Sequence, residues 1–160
     1  MSKKVYLANG LFSLADYHLN ELLAKEIRNT FNNVDLFVPQ EQGINDKNSY
    51  ADAEKIFKLD TENVVTSDIM VAVIDGVEID SGVACEIGIA ISNNIPVIAL
   101  YSDMRLLGTD NEAKINALIK DSTENQFMYR NLFVIGAVKS NGTVVHTIKD
   151  LMDELKVRLN

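Results

Sequence analysis

The run DIMVAVID, Asp68 to Asp75, constrains the fold of this chain most. Six apolar residues in a row lie between its two aspartates. A strand with one wet face alternates polar and apolar residues, so this run reads as a strand buried on both faces. IPVIALY (95–101) repeats the pattern. Strands of this kind belong to parallel sheets covered by helices on both sides.

The remaining segments supply the helices. KVYLA is a short β-rich run near the start. Ser13 opens an amphipathic helix to about Phe31, with Asp16 three residues on as a capping-box partner. VDLFV (34–38) is a second strand, ended by Pro39, and the polar loop QEQGINDKNS follows. Further helices are expected from about Tyr50 to Val65, Ser81 to Ser92 and Asn111 to Lys120. NLFVIGAV (131–138) reads as the last core strand, KSNG as a turn, and Thr147 as the start of a C-terminal helix. This alternation predicts an α/β fold, a doubly wound parallel sheet of about five strands. Ligands of such sheets bind outside the carboxyl ends of the strands. The loops after Ala8, Val38, Asp75 and Tyr101 are therefore the ones to search.

No repeat or Pro/Gly-rich linker divides the 160 residues, so a single domain over 1–160 is expected. The net charge of −8 disfavours nucleic-acid polymers and anionic membranes, whose affinity for proteins comes from Lys and Arg. No apolar run approaches a membrane span, and no signal peptide is expected. The single cysteine, Cys85, and two distant histidines, His18 and His146, offer no disulfide and no metal-ligand spacing. A cytoplasmic protein without metal or cofactor is the expectation.

Charge is distributed unevenly. From Leu59 to Met104 there is no Lys or Arg, yet the span holds eight acids: Asp60, Glu62, Asp68, Asp75, Glu78, Asp80, Glu86 and Asp103. Glu62 and Glu78 read as solvated, and Asp68 as the start of a strand. Asp80 reads as an N-cap of the third helix, or as the residue ahead of a Ser81 cap. Glu86 is different. It is the only polar residue in VACEIGIAI, and its neighbours at three and four positions are Gly82, Val83, Ile89 and Ala90. None of them can pair with it. An unpaired carboxylate in a helix apolar nearly all round costs several kcal/mol unless its site supplies hydrogen bonds. The bland alternative is that Glu86 reaches solvent or a cation of a partner chain. Gly82 and Gly88 flank it and leave room for a ligand or a neighbouring backbone. Two carboxylates in unlike environments suit glycosyl transfer, one as nucleophile and one serving the leaving group. Phosphate-binding glycine loops and a serine nucleophile elbow are absent.

These residues resemble the nucleoside 2-deoxyribosyltransferase family over roughly residues 4 to 138. The opening VYLANGLF, the pattern D-x-G-x-x-x-E-x-G-x-A from Asp80 to Ala90 with Asp60 upstream, and a flavodoxin-like element order carry the resemblance. It implies that Glu86 attacks C1′ of a 2′-deoxynucleoside to give a covalent deoxyribosyl-enzyme, which a second base then releases with retention. It implies that Asp60 and Asp80 assist departure of the base and that Tyr6 orients Glu86. It implies that Asn9, Gly10 and Phe12 line the pocket and that Gln40 or Gln42 contacts the base. A neighbouring subunit is expected to reach the sugar 5′-hydroxyl, through Asn116 or through Asn125 with Met128. Partners implied are deoxynucleosides, free purine or pyrimidine bases, and further copies of the chain, as dimers or hexamers.

Two rival readings share the scaffold. An N-glycosidase acting on deoxynucleosides or their 5′-monophosphates would need a phosphate site, for which Arg105 and Arg130 are the nearby cations. A receiver-type module would phosphorylate Asp75, but Ala8 and Asn9 stand where it needs an acidic pair for Mg²⁺.

Overall fold

The computed structural model describes residues 2–159. Its five strands are β1 (Lys3–Ala8), β2 (Val34–Phe37), β3 (Ile69–Val73), β4 (Val97–Leu100) and β5 (Gly142–Val145). They form one sheet in the order β2-β1-β3-β4-β5, and every adjacent pair is parallel. This is the flavodoxin-like, doubly wound order. The helices are α1 (Leu14–Thr30), α2 (Ala53–Val65), α3 (Ser81–Ser92), α4 (Glu112–Lys120), α5 (Leu132–Ser140) and α6 (Ile148–Leu159).

Side chains of a strand alternate between faces. Val5, Leu7, Ile69, Val71, Val73, Ile98 and Leu100 pack with Leu23 and Ile27 of α1 and Leu151 and Leu155 of α6. Tyr6, Ala8, Met70, Ala72, Val97 and Ala99 pack with Val64 of α2, Val83, Ile87 and Ala90 of α3 and Val138 of α5. Both faces of the central strands are dry, which is why DIMVAVID shows no alternation. Each fully buried Leu or Ile contributes about 1.5–3 kcal/mol relative to exposure.

Local signals set the helix starts. Ser13 and Asp16 form the reciprocal capping box at α1. α2 begins at Ala53 with Asp52 as its cap, three residues later than Tyr50, which is exposed. Two short 3₁₀ turns, Pro39–Glu41 and Gly43–Asn45, order the loop after β2.

The expected last strand is a correction. NLFVIGAV is not a strand; Leu132–Ser140 is helix α5, and the fifth strand is GTVV at 142–145, which starts on the last residue of the expected KSNG turn. A short run apolar on every residue carries no period to distinguish helix from strand. The deciding feature is Asn131, whose Oδ1 accepts from the amides of Phe133 (3.0 Å) and Val134 (3.3 Å) and so caps a helix. Gly142 then starts the strand against Val97. A Cβ there would lie 1.9 Å from the Val97 carbonyl oxygen, so the backbone approaches too closely for any other residue.

Candidate active site

β1 lies between β2 and β3, so the chain leaves it in one direction and returns on the other side. Such a switch point opens a crevice at the carboxyl ends of the strands. Tyr6, two residues from the end of β1, points to the α3 face and is fully buried. Its Oη donates to Oε1 of Glu86 at 2.6 Å. α3 carries Glu86 on the side facing β1 and α2, while Ser81, Gly82, Cys85, Gly88 and Ser92 are exposed. The helix is thus buried along one stripe, Val83, Ile87 and Ala90, in this chain.

The charges respond to this setting. Burial raises the Glu86 carboxyl to about 7, with the nearby Asp60 and Asp80 carboxylates pushing the same way and the Tyr6 hydrogen bond opposing them. Asp60, on α2, is raised to about 6 by burial, and its Oδ1 is buried with no hydrogen-bond partner. Burial first, then Glu86 and Asp60, drives the Tyr6 phenol upward, so it stays protonated and remains a donor. Asp80 is the N-cap of α3: its Oδ1 accepts from the amides of Gly82 (2.9 Å) and Val83 (3.1 Å). Gly82 leaves room for that cap, because a Cβ on it would sit 3.0 Å from the same oxygen. Gly88 is exposed, and a Cβ on it would meet nothing within 4 Å, so the surface of α3 is open there.

The loop after β1 is tied down by a residue the sequence reading did not single out. Asn20, a buried polar residue on the apolar stripe of α1, accepts from Asn9 Nδ2 (2.8 Å) and donates to the Gly10 carbonyl (3.1 Å) and to Gln40 Oε1 (2.8 Å). Its signal was available: it breaks the apolar series Leu23, Ala24, Ile27. Gln40 also donates to the Tyr17 carbonyl, so both ends of its amide are engaged. Gln42 donates to the Val38 carbonyl at 3.1 Å, and among the described residues its oxygen accepts no hydrogen bond. Phe12 is 80% exposed, with Lys47 Nζ 5.1 Å over its ring.

Other expected residues lie apart from this cluster. Asn116 is exposed on α4. Asn125 and Met128 line a cavity of about 640 Å³ with Val77, Ile79, Ala84 and Arg130, and Glu86 is not among its walls. Asn125 Oδ1 accepts from the Phe127 amide. Asp75 is held by Ser102, whose amide donates to it at 2.7 Å, and it joins the ends of β3 and β4. Asp68 accepts from Lys3 and from the Lys4 amide, and Glu62 and Glu78 are exposed. Arg105 and Arg130 both meet Asp103, which Arg105 holds down at about 2. Among the described residues no cluster suited to a metal ion occurs, and no helix is long and apolar enough to cross a membrane.

Fold and cluster together define a flavodoxin-like α/β protein with carboxylates gathered at its switch point. The chain belongs to the nucleoside 2-deoxyribosyltransferase family, whose sequence model matches residues 5–131. A conserved protein from Enterococcus faecalis V583 is 47% identical, with a TM-score of 0.91 over 99% of both chains. A 2-deoxyribosyltransferase from Bacillus psychrosaccharolyticus shares the fold at 18% identity, with a TM-score of 0.66 over 94% of this chain and 90% of its own. The CMP N-glycosidase of Clostridium botulinum is more remote, at 16% identity and a TM-score of 0.49 over 97% of this chain and 98% of its own. A search of curated proteins gave no match.

Proposed function

We propose that the protein exchanges nucleobases on 2′-deoxyribose through a covalent intermediate on Glu86. The observation that carries this is the Tyr6–Glu86 hydrogen bond of 2.6 Å beneath two further carboxylates. Tyr6 occupies Oε1, which leaves Oε2 as the attacking oxygen. Oε2 bonds to C1′ as the N-glycosidic bond breaks, and that electron pair leaves with the base. Asp60, with a carboxyl at about 6, is part-protonated at neutral pH and serves as the proton donor to the departing base. Asp80 spends Oδ1 on the helix cap and offers Oδ2 to the base. An incoming base then attacks C1′ from the opposite face, returns the proton, and restores Glu86, with net retention. Asn9, Gly10, Phe12, Gln42 and Gly82 are assigned to the pocket walls, with Gln42 preferred over Gln40 because its oxygen is unengaged.

Purine and pyrimidine 2′-deoxynucleosides and free bases are the proposed partners, in the cytoplasm, with no cofactor. The chain is assigned to a homo-oligomer, dimer or hexamer, in which Asn116, or Asn125 with Met128, reaches a neighbour's sugar. Leu132 and Phe133, 84% and 88% exposed on α5, support such an assembly.

The test is base exchange between a deoxynucleoside and a second base by the wild type, Glu86→Ala and Glu86→Gln. Activity is expected in the wild type alone. Labelling with a 2′-fluoro-arabino nucleoside and peptide mass spectrometry should place the sugar on Glu86; a label elsewhere overturns the mechanism. A second reading, N-glycosidase action on 5′-monophosphates, has Lys47 beside Phe12 in its favour as a phosphate contact. Hydrolysis of monophosphates with no exchange would select it.

A further inference from the structure

Arg130 lies in the segment between α4 and α5. Its side chain is only 6% exposed. The guanidinium donates to three carbonyls: Gly76 at 2.7 Å, Val77 at 3.4 Å and Tyr129 at 3.1 Å. It stacks 4.4 Å over the Tyr101 ring and lies 3.5 Å from Asp103. Nε is buried with no hydrogen-bond partner, on a side chain stacked against that ring.

Arginine suits this task because its planar fork offers donors in fixed directions, which an ammonium cannot reproduce. Two of the three carbonyls belong to the loop between β3 and α3. That loop leaves the sheet through Gly76, at φ +91°, a conformation other residues adopt only with strain. It ends four residues later at Asp80. Among the described residues, Arg130 supplies the hydrogen bonds that tie the stretch 76–79 to the rest of the fold, and Ile79 packs against the core on the α3 face. Glu78 is exposed and Val77 is 77% exposed.

We infer that Arg130 is a positioning residue for the reaction: it clamps the Gly76–Val77 backbone and so fixes Asp80, and through the α3 cap, the approach to Glu86. It touches neither of the two carboxylates. This rests on the function proposed above, in which Asp80 contacts the departing base. A misplacement of about 1 Å in a catalytic group is worth on the order of 100-fold in rate, which sets the scale of the effect.

Arg130→Lys is the informative variant, because it keeps the charge beside Asp103 and most of the volume while losing the fork. Arg130→Met is the second variant, and thermal unfolding checks that both remain folded. Arg130→Lys is expected to lower the rate of base exchange at least tenfold. In an Asp80→Asn background, where the amide still caps α3, the same change is expected to alter the rate less than about twofold, since residues acting as one unit are not additive. A merely structural contribution would multiply the two losses, and that outcome overturns the inference. Amide hydrogen exchange gives an answer independent of activity: the amides from Val77 to Val83 should exchange faster in Arg130→Lys, and wild-type protection there overturns the clamp. If the wild type shows no base exchange, the proposed function fails, while hydrogen exchange still decides whether Arg130 holds the loop.

Discussion

Glu86 is held in a state that favours reaction over stability. Its carboxyl stands at about 7, against an ordinary value near 4.5, so the folded protein holds this proton more tightly than the unfolded chain. The sign follows: stability contributed by the protonated form is present at low pH and is lost as pH rises from about 4.5 through 7. Replacing Glu86 with Gln keeps an acceptor for Tyr6 and removes the charge. The variant should be more stable than wild type at pH 8, by up to about 3 kcal/mol, and differ little at pH 5. Thermal unfolding at the two pH values checks this; equal gains at both would show that the Glu86 charge is not what costs stability. Tyr6→Phe removes the one contact that lowers the Glu86 carboxyl. The acid limb of kcat/KM should then move to higher pH, with slower exchange at pH 6 than at pH 8. A pH–rate profile with an unmoved limb would mean that Tyr6 does not set the ionisation of Glu86.

At this scale the sequence was partly legible. Glu86 is conspicuous because a charge in VACEIGIAI has no helical partner. The raised Asp60 carboxyl is not legible, because its cause is the packing of α2 against β1 and α3, which no local pattern encodes. Asn20 is legible only in part: it breaks the apolar stripe of α1, but its three partners, Asn9, Gly10 and Gln40, come from two different loops.

Elements carry the site through their ends. Asp80 joins the two tasks of capping α3 and standing beside Glu86. Asp80→Ala removes the cap and should lower stability by about 1 kcal/mol, while Asp80→Asn should keep it. Chemical denaturation of the two variants separates the cap from the chemistry, and equal stability losses would deny the cap any special place. The capped starts of α1 and α3 were readable because Ser13 and Asp80 precede runs with a clear beginning. The order of the last two elements was not. LFVIGAV satisfies a buried strand and a buried helix equally, and the choice rests on tertiary context: α5 fills the space beside α3, and GTVV, led by a glycine, approaches Val97 closely enough to pair on the side away from β3. Gly142→Ala should therefore be strongly destabilising, with unfolding at lower denaturant, even though the residue lies on an edge strand.

The whole molecule sets which substrates can approach. With a net charge of −8 and no Lys or Arg between Leu59 and Met104, the carboxyl edge presents acids toward the crevice. The two nearest arginines offer no phosphate site, since Arg105 pairs with Asp103 and Arg130 is buried against three carbonyls. Long-range charge acts on association and is screened by salt, with a Debye length of about 10 Å at 0.1 M. A neutral deoxynucleoside feels little of this field, so its kcat/KM should be nearly independent of ionic strength between about 0.02 and 0.5 M. A 5′-monophosphate is repelled, so any activity on it should rise with added salt as the repulsion is screened. Measuring both substrates across that range distinguishes the readings. If monophosphate turnover instead falls as salt rises, an attractive cation serves the mouth. Lys47, poised over Phe12, would then be the residue to replace, and the hydrolytic reading would gain on the transfer reading.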